Sequence, residues 1–552
     1  MKLIRPKDSA IIKTFHNIAI SHFAGMTLKS LVCYTGRQMN SIDLSIFSSR
    51  INAICDEMGA VLKKAAFSPN IKDRLDFSCA IFDHSGELCA QAAHIPVHLG
   101  SMAYAMTEIV QAIDWSPGDM LILNDPYLGG THLPDVTLVA SVFAGDSLAG
   151  FVVNRAHHAD IGCHSPGSMP VSRSLEEEGL VIAPQPLLRQ GTLDQSLLRQ
   201  ITAVTARPVD SRADLSAQIS ANKTGVRRLL KLIDEWGLKQ YRQGLAELNG
   251  YAQRLARHGL KSIPLGHYRF TDYMESDGSG RTDLPVQVEV SVRETGVHVD
   301  FSGTAPQVEG NINCPLSVTA AAVYYVFRCL MPAQTPASAG AFRDIGITAP
   351  AGCLVNARRP AAVAAGNVET SSRIVDALLG ALHQAVPEQV PAASQGTMNN
   401  LAMGSSATAG EGWSYYETLA GGMGAGAHGG GLSAVQTHMT NTLNTPVEVV
   451  ETRFPLRIQR YQVRAGSGGR GRRQGGDGLI REYRFLAPAS VTLLTERRRL
   501  APWGLAGGEA GRPGVNRLNR QPLAAKCSLA VNSGDVLEIQ TPGGGGYGRW
   551  TD

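Results

Sequence analysis

The sequence predicts an α+β protein of several domains, mixing helices with largely antiparallel sheets. Three observations carry this. Apolar runs at helical spacing and runs with strand character are interleaved along the chain, without a regular strand–helix rhythm. Two strand candidates, 136–143 and 149–154, are separated only by a turn around Gly145-Asp146, which reads as an antiparallel hairpin. The 552 residues allow about three or four domains at roughly 150 residues each, and no fixed-period repeat points to a solenoid.

The elements follow in order. The first 38 residues have weak periodicity and mixed polarity, and are expected to be a non-native or disordered extension, with Met39 as the native start. Asn40-Ser41-Ile42-Asp43 reads as a helix cap. The helix it opens spans 43–66, with Leu44, Phe47, Ile51, Ile54, Met58, Val61 and Leu62 at helical spacing. Ser68-Pro69-Asn70 ends it. A short strand at 77–82 meets a turn at Asp83-His84-Ser85-Gly86. A helix at 102–113 leads through Pro117-Gly118-Asp119 into an apolar strand at 120–123. After the hairpin, 197–260 is mainly helical. Beyond Gly266 come strands at 268–274, 286–292 and 297–301, helices at 319–330 and 371–385, and strands at 479–485 and 491–494. The end, from Thr541 to Gly548, holds four consecutive glycines and is expected to be flexible or tightly turning.

Composition narrows the class. Hydrophobic residues make up 43% and charged residues 18%, which suits a buried core rather than a disordered chain. A net charge of +4 gives no reason to expect nucleic acid, and the basic stretch Arg470 to Arg473 reads as a solvated turn. The nine cysteines are odd in number and form no CxxC pair, which argues against a disulfide framework and fits a reducing cytoplasm. No stretch reaches the ~20 apolar residues of a membrane span. The moderately apolar segment 11–26 is broken by Lys13, His16, Asn17 and His22.

The most informative stretch runs from Asn124 to Ser168. Asn124-Asp125-Pro126-Tyr127 follows an apolar strand, and Gly129-Gly130-Thr131-His132-Leu133-Pro134-Asp135 comes next. The hairpin then returns to Arg155-Ala156-His157-His158-Ala159-Asp160-Ile161-Gly162. Imidazole and carboxylate at strand ends suit a divalent metal, and the paired glycines let the backbone turn before His132. The returning strand brings His157 or His158 beside His132 and Asp135. Each residue alone has a plain structural reading, as a hydrogen-bonded histidine or a turn aspartate. Four together favour a shared ion, and Zn, Mn and Fe all tolerate this ligand mix.

Several motifs, in the same order, resemble the hydantoinase B family. They are Asp73-Arg74-Leu75-Asp76-Phe77-Ser78, Asn124-Asp125-Pro126-Tyr127, Gly130 to Asp135 and Arg155 to Gly162. Asp300-Phe301-Ser302-Gly303-Thr304, Gly366-Asn367-Val368-Glu369-Thr370-Ser371, Thr437-His438-Met439-Thr440-Asn441-Thr442 and the glycine-rich tail complete the match from about Met39 onward. One departure is Gly162-Cys163-His164, where a second glycine is expected. The resemblance implies metal ligands at Asp76, with Asp73 as its neighbour, and at His132, Asp135 and His157. It implies catalytic or orienting roles for His158, Asp160 and His438, with His438 facing the site across a domain boundary. Asn124, His98 and Arg155 are further polar pocket candidates. The expected domains are a metal-binding region at 39–265, an α+β region completing the active site at 266–450, and a β-rich region with the glycine tail at 451–552.

The implied activity is ATP-dependent opening of a hydantoin, 5-oxoproline or lactam ring. Phosphorylation of the amide oxygen would make it a better leaving group, and a divalent metal would acidify the attacking water. This chain holds no GxxxxGK[ST] phosphate loop, and its GxGxxG at Gly466, Gly468 and Gly471 runs into polar Arg-Arg-Gln-Gly-Gly. ATP is therefore expected on a hydantoinase A-like partner of actin-type fold, in a cytoplasmic hetero-oligomer without nucleic acid or membrane. The alternatives are a ketone carboxylase subunit of the acetone or acetophenone type, and a scaffold that binds metal without catalysing.

Overall fold

The computed structural model describes residues 39–92, 95–405 and 412–550, so the expected extension at 1–38 lies outside the described residues. The first helix, α1 (Ser41–Ala65), starts where its cap dictates: Asn40 Oδ1 accepts from the backbone N–H of Ile42 and Asp43, both at 2.9 Å. Its face of Phe47, Ile51, Ile54, Met58 and Leu62 is buried. Helix α2 (Pro96–Gln111) covers the other side of the first sheet, and α3 (Pro208–Trp236) and α4 (Leu238–Leu260) join α1. The α1–α3 contact is close at Gly225, where an added Cβ would stand 2.4 Å from Met58 Sδ.

The first sheet contains β1 (Phe77–Asp83), β2 (Leu88–Ala92), β3 (Met120–Leu123), β4 (Asp135–Ala144), β5 (Ser147–His157), β6 (Gln185–Arg189) and β7 (Thr192–Leu193). Its spatial order is β2-β1-β5-β4-β3-β6-β7, with antiparallel pairing throughout. The central β4–β5 hairpin pairs Asp135 with His157 at its open end, and β1 pairs Phe77 with Ala156 on the far side of β5. Thus the sheet gathers Asp76, Asp135 and His157 at one end of its inner strands.

The second sheet is β11-β10-β9-β8, built from β8 (Gly266–Ser276), β9 (Thr282–Arg293), β10 (Gly296–Asp300) and β11 (Ile345–Thr348). Its one parallel pair, β10 with β11, is bridged by a crossover containing α5 (Leu316–Leu330). With α6 (Ser371–His383) this layer encloses the second large core. A third sheet has the order β13-β12-β16-β19, and a fourth β14-β15-β20-β17-β18. Their strands are β12 (Asn400–Ser405), β13 (Trp413–Thr418), β14 (Leu456–Val463), β15 (Leu479–Phe485), β16 (Ala489–Leu494), β17 (Val515–Leu518), β18 (Gln521–Pro522), β19 (Lys526–Val531) and β20 (Val536–Gln540). The third sheet therefore joins strands from both sides of residue 450. The α+β expectation with largely antiparallel sheets holds. The eight cysteines among the described residues are all free. No described helix is long and apolar enough to cross a membrane.

The glycine tail is neither flexible nor a turn: residues 541–548 are buried and extended through the middle of a bundle. Gly543 and Gly546 donate to Arg512 and Glu509, Gly544 and Tyr547 to Gly476 and Arg473, and Gly545 and Gly548 to Ala393 and Leu505. The first two pairs return to the same neighbouring segment every third residue, the repeat of a polyproline II-type rod. Only glycine admits such close neighbours; a Cβ on Gly544 would stand 2.1 Å from the Met423 carbonyl oxygen. Two of the GxGxxG glycines belong to the same bundle, since a Cβ on Gly468 would lie 2.0 Å from Gly475 O and one on Gly471 2.8 Å from Tyr547 N, while Gly466 stands in open space at a φ of 72°.

Candidate metal centre

The loop before β4 is held so that its histidine faces inward. Gly129 takes a φ of 93° after the turn Pro126–Leu128, and a Cβ on Gly130 would stand 2.6 Å from Asn124 O. Asn124 fixes the loop from behind: its Nδ2 donates to Leu133 O and Leu180 O, and its Oδ1 accepts from Ile182 N. Arg155 likewise braces the fold, donating to Thr137 Oγ1, Ser101 Oγ and Gly129 O. Asn124 and Arg155, two of the three further polar pocket candidates, are thus committed to structure.

Three donors then converge. His132 Nε2, Asp135 Oδ1 and His157 Nδ1 are each 3.2 Å from the other two. Donors bound at about 2.0–2.2 Å to one ion stand roughly 2.8–3.6 Å apart, for octahedral to tetrahedral angles. All three side chains are buried. The Ala364 carbonyl lies 3.4 Å from His132 Nδ1, so that nitrogen carries the proton and leaves the Nε2 lone pair facing the gap. The other ring nitrogen of His157, Nε2, is buried without a hydrogen-bond partner. This donor set fits a divalent cation.

Asp135 is aimed by its second oxygen. Oδ2 accepts from His98 Nε2 at 3.2 Å and from the Thr131 hydroxyl by a short bond. His98 Nδ1 in turn meets Ser78 Oγ at 3.2 Å, which fixes the ring. Burial pushes the Asp135 carboxyl upward, but the facing His132 and His98 outweigh it and hold the group well below the usual carboxylate range. Burial also disfavours a charged His132, yet Asp135 and Asp76 raise its pKa above the ordinary value. For His157 burial wins, and its pKa is lowered.

Asp76 stands beside this set rather than within it. Its carbonyl accepts from His157 N at 3.0 Å, and its carboxylate lies 3.7 Å from Arg74 Nη2. It is not one of the three residues whose donor atoms lie within 4.8 Å of one another. His158, the residue after β5, is directed to α3 instead of the three donors. Its Nε2 bonds Gln218 Oε1 on α3 at 2.8 Å. Asp160 staples a loop: Oδ1 accepts from Gly162 N and Ser168 Oγ, and Oδ2 from Ala206 N. His438, at a φ of 56°, meets the Tyr325 hydroxyl on α5 at 3.3 Å, and burial lowers its pKa. The geometry therefore gives His158 and Asp160 supporting positions and brings neither of them, nor His438, into contact with the three donors. The departure at Cys163 and His164 sits on a loop that reaches solvent, with His164 exposed.

Tyr416, on β13, went unremarked in the sequence. Its ring stacks on His157 with centroids 4.8 Å apart and planes 12° apart, while the Arg74 guanidinium covers it at 4.8 Å. Its hydroxyl donates to Asn400 Oδ1 at 2.7 Å. A tyrosine in a short strand carries no local signal of this role. With the Ala364 carbonyl, it is how residues beyond 266 reach the centre.

The chain matches the Hydantoinase B/oxoprolinase family over residues 40–550. An uncharacterised protein of Methanocaldococcus jannaschii is 39% identical over 520 residues, covering 92% of this chain and 91% of that protein. 5-Oxoprolinase 1 of Arabidopsis thaliana is 37% identical across 99% of this chain, which spans 44% of that longer protein. A Pseudomonas protein (strain NS671) named as one subunit of a D-/L-hydantoinase is 32% identical over 93% of this chain and 90% of its own length. The crystal structure of ATP-dependent caprolactamase from Pseudomonas jessenii superposes with a TM-score of 0.86 at 28% identity, covering 93% of this chain and 92% of that one. Acetone carboxylase superposes at 0.83 with 18% identity, over 92% of this chain and 75% of that one, a likeness of fold alone. The chain belongs to the hydantoinase B/oxoprolinase family.

Proposed function

We propose that this chain is the metal-holding subunit of an ATP-dependent hydrolase that opens a cyclic amide: a hydantoin, 5-oxoproline or a lactam. The observation that carries this reading is the triangle of His132 Nε2, Asp135 Oδ1 and His157 Nδ1 at 3.2 Å. His132, Asp135 and His157 would hold a divalent ion of the Zn, Mn or Fe type, with Asp76, whose charge acts on both histidines, as the further carboxylate. Such an ion supplies Lewis acidity, acidifying water and polarising a carbonyl or phosphoryl oxygen.

The chain's own residues prepare the rest. Ala364 O keeps the His132 lone pair directed inward, and His98 with Thr131 keeps Asp135 ionised and aimed. Tyr416 and Arg74 close one side of His157 against water. A cyclic amide resists hydrolysis because nitrogen donates into its carbonyl; phosphorylation of the oxygen removes that resistance. A hydantoinase A-like partner would spend the ATP, in keeping with the names of the Pseudomonas relative and the caprolactamase. The test is ATP-dependent ring opening by the co-purified complex on 5-oxoproline, hydantoins and lactams. Turnover should require both subunits. ATP-coupled ring opening by this chain alone, or carboxylation of a ketone by the complex, would overturn the reading.

A further inference from the structure

Glu178 ends the short turn Leu175–Glu178 and is 1% exposed. Its Oε1 accepts from Val363 N and Ala364 N, both at 2.9 Å, and from Ser172 Oγ at 2.8 Å. Its Oε2 is buried without a hydrogen-bond partner. Main-chain contacts carry the turn to this place: Leu175 N donates to Pro360 O at 2.9 Å, and Ser174 bridges Ala361.

The segment that Glu178 grips ends at the carbonyl facing His132. Along it, Ala361 O accepts from the Tyr127 hydroxyl at 2.7 Å and Ala362 O from Asn313 Nδ2 at 3.0 Å. Glu178 takes the next two amides, and Ala365 N donates to Asn311 O at 2.9 Å. Ala364 O is left directed at His132 Nδ1, 3.4 Å away. Packing alone does not call for a charge here. The three donors do not offset burial, which pushes the Glu178 carboxyl up to about 7. Its ionised form therefore costs the fold stability at neutral pH, where an apolar side chain carries no such cost. An apolar side chain, however, would leave the Val363 and Ala364 amides without their acceptor. The peptide bearing Ala364 O would then keep one restraint, from Asn311.

We propose that Glu178 is a positioning residue for the candidate metal centre. By holding residues 363 and 364 it fixes the Ala364 carbonyl, which selects the His132 tautomer that leaves Nε2 open to an ion. This role rests on the metal-holding reading above.

The test compares wild type, Glu178→Gln, Glu178→Leu and Glu178→Asp by three measurements. Nitrogen NMR of the histidine-labelled, metal-free chain reads the His132 tautomer at a pH where the ring is neutral. Titration with manganese(II) and with zinc(II) reads affinity, and thermal melts read the fold. Wild type should show His132 protonated at Nδ1. Glu178→Gln keeps an accepting oxygen and should match wild type in tautomer and affinity. Glu178→Leu should mix the tautomers and weaken metal binding by about 10–100-fold. If it does not fold, Glu178→Asp, whose shorter side chain cannot reach both amides, decides by the same two readouts with a smaller loss. A folded Leu or Asp variant that keeps the wild-type tautomer and affinity, even with a lower melt, overturns this role alone. So does a Gln variant that loses both. A wild type that binds neither ion overturns the metal-holding reading and this role with it.

Discussion

The candidate metal centre and the glycine bundle are both buried and both rich in polar atoms, yet they are built on opposite terms. At the candidate metal centre Asp135 and His157 stand on antiparallel strands and His132 on the loop before β4, and side-chain identity does everything: two imidazoles and a carboxylate meet within 3.2 Å. In the bundle the side chains are absent, and the backbone itself is the packing surface. A change at the first should cost chemistry and spare the fold. A change at the second should cost the fold first.

The largest effect is expected in the bundle. Gly544→Val places a side chain where a Cβ alone already stands 2.1 Å from Met423 O. The backbone must move, at a cost of about 3 kcal/mol or more, read as a large loss of melting temperature or of soluble protein. A melt like that of the wild type would show that the bundle is not close-packed.

At the other region, His98→Ala should leave the melt nearly unchanged but weaken metal affinity by about 10–100-fold, because Asp135 loses a partner that aims it. The same variant with full affinity would remove His98 from the account. Metal binding should also depend on acidity with a known sign. His132 holds its proton more strongly than an ordinary histidine in the metal-free chain, and must release it to bind. Affinity should therefore rise with pH, by about tenfold per unit while one proton is displaced, and level off once pH exceeds the raised pKa. Titration with metal across the range below and above pH 7 checks this; a flat profile would contradict it. The smallest effect is expected from Asp160→Asn. It loosens a loop staple touching Gly162, Ser168 and Ala206, and should cost about 1 kcal/mol of stability with little change in metal content.

Much of the first region was legible in the sequence. The Asn40 cap, the strand at 120–123 and the β4–β5 hairpin follow from local pattern, and the hairpin is what carries His157 back to Asp135. The choice between His157 and His158 was not legible, because it depends on strand register, and a shift of one residue turns every side chain to the other face. Tyr416 and the Ala364 carbonyl escaped notice because they arrive from more than 200 residues away in the chain, with no local signature. The tail was misread for a different reason. A glycine run carries no apolar period, and its three-residue repeat appears only in the hydrogen bonds its neighbours supply.

The most direct test of the central claim is the metal content of purified wild type and His132→Ala, measured by elemental analysis beside their thermal melts. The account predicts about one divalent ion per wild-type chain, held by one buried three-donor set. It predicts loss of that ion in the variant and a cooperative melt close to that of the wild type. A variant that keeps its full metal content would place the ion elsewhere, and one that unfolds throughout would make the site structural rather than catalytic.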